Sequence, residues 1–138
     1  MEELWEEIVD LAGQVKESEH GLRVLLDDVI LRRNSLAEAL CVRMARKLSR
    51  EDMTRGELTP LLGGIFAADE TLAQSAARDI RAIVERDAAC DSPLHPLLFF
   101  KGFMAISTYR VSHHLWSADR RELALYFQSL ASEVFGVD

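Results

Sequence analysis

Apolar residues recur along the chain at helical spacing. Leu4, Ile8, Leu11 and Val15 fall at i, i+4, i+7 and i+11, one stripe of a helix whose other face is acidic. Leu22, Leu25, Leu26, Val29 and Ile30 form a second stripe. Asn34 or Ser35 offers a side-chain oxygen to the orphan N–H groups of a third helix, along which Leu36, Leu40, Met44 and Leu48 recur every four residues. Arg43, Arg46, Lys47 and Arg50 gather toward its C-terminal end, where cations suit the helix dipole. Asp69 is placed to cap a further helix carrying Leu72, Ala76, Ile80, Ile83 and Val84 and ending near Arg86. From Leu97 the sequence reads helical to about Ser117, with Phe99, Phe103, Ile106, Arg110 and His113 or His114 along it. Asp119 with Glu122 gives an N-cap and N3 pattern before a last stripe of Leu123, Phe127, Leu130 and Val134.

Two stretches read less simply. In 54–67, Thr54 with Glu57 is a capping box, Thr59-Pro60 is a competing start, and Gly63-Gly64 weakens the helix by about 1 kcal/mol for each Gly relative to Ala. Residues 87–96, DAACDSPLHP, read as a loop on their two prolines, two acids and Ser. The expected architecture is all-α, a multi-helix bundle of about seven or eight helices. Seven Gly and three Pro are too few for the many turns of a sandwich or barrel.

Composition sharpens this. A length of 138 residues, with 49% hydrophobic and 28% charged positions, fits one folded domain spanning 1–138. No apolar run suits a membrane span, so no membrane partner is expected. The opening MEELWEEIVDL lacks the layout of a signal peptide. Cys41 and Cys90 make no disulfide framework and fit a reducing compartment, most simply the cytoplasm. The net charge of −7 sits entirely in residues 1–28, which carry nine acids and two bases; the remainder is neutral. That segment reads as a solvated helix face or an interaction segment. The basic run Arg43–Arg55 has no interleaved aromatics and reads as a solvated face. A nucleic-acid binder built on Arg32–Arg55 would show steep salt dependence, but an acidic chain suits a phosphate backbone poorly, and no nucleic-acid partner is expected.

No complete catalytic constellation is visible. His113 and His114 project about 100° apart on a helix and do not converge on one metal, so no metal is expected; one partly buried, hydrogen-bonded ring and one exposed ring is the simpler reading. Cys41 and Cys90 read as small buried hydrophobes. Gly63-Gly64 has neither the spacing nor the following Lys of a phosphate cradle. Asp87 and Asp91 are more informative. Carboxylates at a helix C-terminus face the unfavourable end of the dipole. They call for a compensating partner, with Arg86 the neighbour at hand, or for an ammonium-bearing ligand.

At this loop the chain resembles a known family. Residues 85–103, ERDAACDSPLHPLLFFKGF, are similar to the Arg-Asp-x-Ala-x-Asp loop and Pro-Leu-Leu-x-x-Lys-Gly-Phe helix of the serine O-acetyltransferases. The preceding AADETLAQSAARDIRAIVERD, the YRVSHHLW of 109–116, the closing RRELALYFQSLASEVFGVD and the upstream LRRNSLAEALCVRMARKLS resemble further family segments. The resemblance runs in order over about residues 1–138 and is densest over 67–138. Ala88 departs from it where the family has Pro, which predicts a looser loop. Gly63-Gly64 breaks a segment the family keeps helical, which predicts a kink or a late start.

The resemblance implies transfer of an acetyl group from acetyl-CoA to the hydroxyl of L-serine, giving O-acetyl-L-serine in cysteine synthesis. It implies a helical N-terminal domain followed by a left-handed β-helix of hexapeptide repeats. Only the first is resembled here, so the apolar ending before Asp138 reads as a domain boundary and the chain alone is expected to be inactive. The catalytic His-Asp pair and the acetyl-CoA groove would lie in the second part, leaving this chain with no catalytic residue and no bound cofactor. Asp87 matches the family acid that contacts the amino group of serine and of the inhibitor cysteine; Asp91 matches a second acid of less defined role. The resemblance further implies a hexamer built as a dimer of trimers, with acidic residues 1–30 as candidate oligomerisation segment and 87–96 as substrate-side loop. It also implies binding of O-acetylserine sulfhydrylase through a C-terminal tail outside this sequence. The rival expectation is a free-standing, non-enzymatic helical assembly module.

Overall fold

The computed structural model describes residues 1–136 and builds eight α-helices among them, with no strand. They are α1 (Glu2–Ser18), α2 (Arg23–Leu26), α3 (Leu36–Leu48), α4 (Arg55–Ala68), α5 (Thr71–Arg86), α6 (Leu94–Phe99), α7 (Lys101–Ser117) and α8 (Arg121–Phe135). A 3-10 turn (His20–Leu22) and a π-helical turn (Asp27–Leu31) flank α2. The Leu22–Ile30 stripe is therefore three short pieces rather than one helix, with Leu26, Val29 and Ile30 all buried. Among the described residues no helix is long and apolar enough to cross a membrane.

The central element is α3, which packs against α4, α5, α6 and α8. Leu36, Leu40, Met44 and Leu48 are all buried, and the Ser35 hydroxyl accepts from the Glu38 N–H at 3.2 Å. Arg43 is also buried, at 8% exposure, which corrects the solvated-face reading of the basic run. Most of the remaining cations of that run are tied to acids. Arg46 and Arg55 both reach Asp28, and Arg50 lies 3.5 Å from Glu133.

Helix α4 starts at the capping box, Thr54 and Glu57 satisfying each other's N–H groups. It then runs uninterrupted through Pro60, Gly63 and Gly64, so the expected late start does not occur. The box holds the start, and Leu58, Leu62, Ile65 and Phe66 bury the opposite face, outweighing weak local propensity. At the start of α5, Asp69 accepts from the Thr71 N–H at 3.0 Å.

Two boundaries differ from the sequence reading. The loop ends at Pro93, and α6 already begins at Leu94. The Ser92 hydroxyl, just before the helix, accepts from the Leu94 N–H at 3.2 Å, and Pro93 at the N-cap and Pro96 in the first turn occupy positions where a missing N–H costs little. The helix expected from Leu97 to Ser117 is two helices, broken at extended Phe100. The break changes which face is buried. Met104, Thr108, Val111 and Leu115 line the core, whereas Phe99 and Ile106 are 57% and 50% exposed.

Asp119 is not an N-cap either. Helix α7 ends in a Schellman turn, with Arg120 N–H donating to Leu115 O at 2.8 Å and Asp119 N–H to Trp116 O at 3.1 Å. Asp119 takes the left-handed position of that turn, with φ 60. The turn folds α8 back along α7, where the Ser112 hydroxyl donates to Ala124 O at 2.6 Å.

Candidate functional site

Asp87 terminates α5, where its N–H donates to Ile83 O at 2.9 Å. Its Oδ1 accepts from the Ala89 N–H at 2.9 Å, and its carbonyl oxygen accepts from the Cys90 N–H at 3.0 Å. Side chain and backbone thus form one tight turn, which fixes where the carboxylate points. Cys90, 2% exposed, anchors the far side of the turn in the interior. The loop is held by these bonds although Ala88 stands where the resembled family has proline. Oδ2 of Asp87 has no hydrogen-bond partner among the described residues, and Arg86 forms no ion pair with it.

Asp87 lines an open groove of ≈ 790 Å³ between the end of α5 and the start of α7. Ile83, Arg86 and Ala88 stand on its side, and Phe100, Lys101 and Ile106 on the other. A second carboxylate at the groove, Asp79, is fully engaged: Arg110 grips it through both guanidinium nitrogens, at 2.5 and 3.3 Å. Asp87 is therefore the groove's carboxylate without an ion pair among the described residues, in a lining that also holds Arg86 and Lys101. An unpaired anion at the negative end of a helix favours a cationic visitor, and an ammonium supplies charge and N–H donors together.

The other sequence candidates fall elsewhere. Asp91 is exposed on the same loop and does not line the groove. His113 is exposed, while His114 is half-buried with Nδ1 3.1 Å from Asp69 Oδ2, so the pair divides as its spacing suggests. The Thr71 hydroxyl bond, with His114 adding to it, holds the Asp69 carboxyl below its ordinary range. Cys41 and Cys90 are both buried and free, and burial, reinforced by the Glu38 charge, pushes the Cys41 thiol up to about 12. Neither thiol is poised as a nucleophile. Sequence reasoning missed Phe100 and Lys101 as groove walls. The available signal was Gly102 beside a lysine directly after an apolar run, a weak place to continue one helix.

A family model described as "Serine acetyltransferase, N-terminal" matches residues 4–108. The chain belongs to the serine acetyltransferase family. Probable serine acetyltransferase 3 of Oryza sativa subsp. japonica is 38% identical over 136 residues, covering 98% of this chain and 45% of that protein. A Neisseria gonorrhoeae serine acetyltransferase crystallised in complex with serine superposes with a TM-score of 0.95 at 36% identity, covering 98% of this chain and 56% of that one. A serine acetyltransferase in complex with cysteine gives a TM-score of 0.95 at 34% identity, covering 99% of this chain and 53% of the other. The chain spans about half the length of the relatives it matches. The all-helical fold expected from periodicity and from the resemblance is the one found.

Proposed function

We propose that this chain is the helical N-terminal domain of a serine O-acetyltransferase, and that Asp87 holds the ammonium group of L-serine. The observation that carries the reading is the state of Asp87: one oxygen pinned by its own turn, the other unbonded, in a groove whose second carboxylate is already consumed by arginine. A charge-assisted bond to the ammonium fixes the amino acid's orientation, which is what transfer to its hydroxyl requires. In the complete enzyme a histidine acts as general base on the serine hydroxyl, the oxygen attacks the acetyl-CoA thioester, and CoA leaves as O-acetyl-L-serine forms. The histidine and the CoA groove belong to the family's second part, so this chain supplies orientation rather than proton transfer. Cysteine carries the same ammonium and competes for the same carboxylate. Asp91 plays a lesser role on the loop's outer side.

The exposed acids of α1 are the candidate contact through which helical domains pair trimers into a hexamer. The sulfhydrylase partner belongs to a tail outside this sequence, and two free thiols suit a cytoplasmic setting. The test is an Asp87→Ala substitution in the enzyme carrying both parts. It raises KM for serine and weakens cysteine inhibition together; unchanged values for both remove Asp87 from the site. Release of CoA from acetyl-CoA and serine by the purified 138-residue chain would contradict the division of labour.

A further inference from the structure

We propose that Arg43, Lys47 and Lys101 form a binding site for a small dianionic oxyanion, a phosphoryl or dicarboxylate group, in the pit between α3, the start of α7 and the end of α8. The pit has a volume of ≈ 300 Å³. The three cations stand around apolar walls that include Phe100, Met104 and Phe135.

Three observations, on α3 and at the start of α7, converge here. First, Arg43 is 8% exposed, yet its one hydrogen bond among the described residues runs from Nη2 to the neutral carbonyl of Leu98. Its buried Nε has no partner. A buried guanidinium with a single neutral acceptor is left short of both charge and bonds. Second, Lys47 lies one turn beyond Arg43 on α3, a like-charge i, i+4 pair that opposes helix formation. The Arg43 charge, helped by burial and by Arg46, holds the Lys47 ammonium below its usual range. Third, Lys101 begins α7 and reaches to the end of α8, its Nζ 3.6 Å from where a Cβ would stand on Gly136, without an ion pair among the described residues.

None of the three cations forms an ion pair among the described residues. One oxyanion answers all three. It gives the Arg43 guanidinium a charged acceptor and lies between the like charges of Arg43, Lys47 and Lys101. Phe100 and Lys101 also wall the groove that holds Asp87, so the two cavities adjoin through a shared wall. The inference stands independently of the serine reading, because it uses neither Asp87 nor any acetyl transfer.

The experiment is a thermal melt of the protein titrated with inorganic phosphate and, separately, succinate, against sodium chloride at matched ionic strength. The expected result is a saturable rise in Tm with at least one dianion and none with chloride. Which dianion binds tighter tells a phosphoryl ligand from a dicarboxylate. Lys47→Gln with Lys101→Gln, both at exposed positions, weakens the apparent affinity roughly tenfold or more, the scale of lost charge-assisted bonds. In the anion-free protein the same pair leaves Tm unchanged or raises it. An equal response to chloride, no saturation, or full retention of the response in the double variant overturns the proposal.

Discussion

Asp28 and Asp87 are both acids at bends between helical segments, and they meet opposite fates. Asp28 sits in the π-helical turn with its side chain 22% exposed, and it takes Arg46 at 2.9 Å and Arg55 on the same oxygen, Oδ2. It joins the acidic N-terminal segment to α3 and α4, and its charge is spent on the fold. Asp87 receives only a backbone N–H from its own turn and remains exposed beside a groove. The same side chain is thus a clamp where arginines converge on it and is left open to a ligand where none does. Sequence position does not separate the two roles; the presence of a partner across space does.

That contrast can be broken in several ways. Asp28→Ala leaves the partly buried Arg46 and the exposed Arg55 without their anion and is expected to lower the unfolding free energy by about 1–2 kcal/mol in a denaturant melt. A change within about 0.5 kcal/mol, the range of ordinary surface substitutions, would remove the clamp.

The same clamp sets an acid limit. Burial alone would raise the Asp28 carboxyl, but the bonds from Arg46 and Arg55 hold it below its ordinary value, and Asp69 is lowered too. Because the folded-state values are depressed, the stabilisation is complete above the unfolded pKa near 4 and drains away as pH falls through the folded values. Stability measured between about pH 6 and 2 should therefore fall at the acid end. Asp28→Asn should flatten that fall; an identical slope would assign it to other carboxylates.

Two smaller changes test whether the scaffold and the groove are separable. Gly64 is an exposed helix-interior residue with open space where a Cβ would stand, so Gly64→Ala should add up to about 1 kcal/mol. Asp119→Gly frees a left-handed position from a side chain and should add about 0.5 kcal/mol. Neither should alter KM for serine in the longer enzyme. A shift in KM with either would show that the groove depends on distant helix ends.

The helical stripes were legible because their spacing and their burial coincide. Leu36 to Leu48, Leu72 to Ile80, and Phe127 with Leu130 are interior as the pattern predicts. Legibility failed where one local signal served another purpose. Pro93 and Pro96 punctuate a loop in the sequence, yet they start a helix. Phe99 and Ile106 look like core, yet they lie on the exposed face because the break at Phe100 resets the register. Arg43 looked solvated as part of a basic run, although it stands three residues from Leu40 and seven from Leu36, on the apolar stripe itself. Of the candidate site, Asp87 was singled out by its place at a helix end and by family resemblance. The groove beside it was not, since its other wall comes from the start of α7.

The most direct measurement compares Asp87→Asn with Asp28→Asn in the complete enzyme, reading Tm and serine KM on the same preparations. Asp87→Asn is expected to melt with the parent protein and to raise KM roughly tenfold or more, the loss of one charge-assisted bond. Asp28→Asn is expected to melt lower with KM unchanged. An Asp87→Asn enzyme that loses thermal stability while keeping its serine KM would contradict the account, because Asp87 would then be one more structural acid.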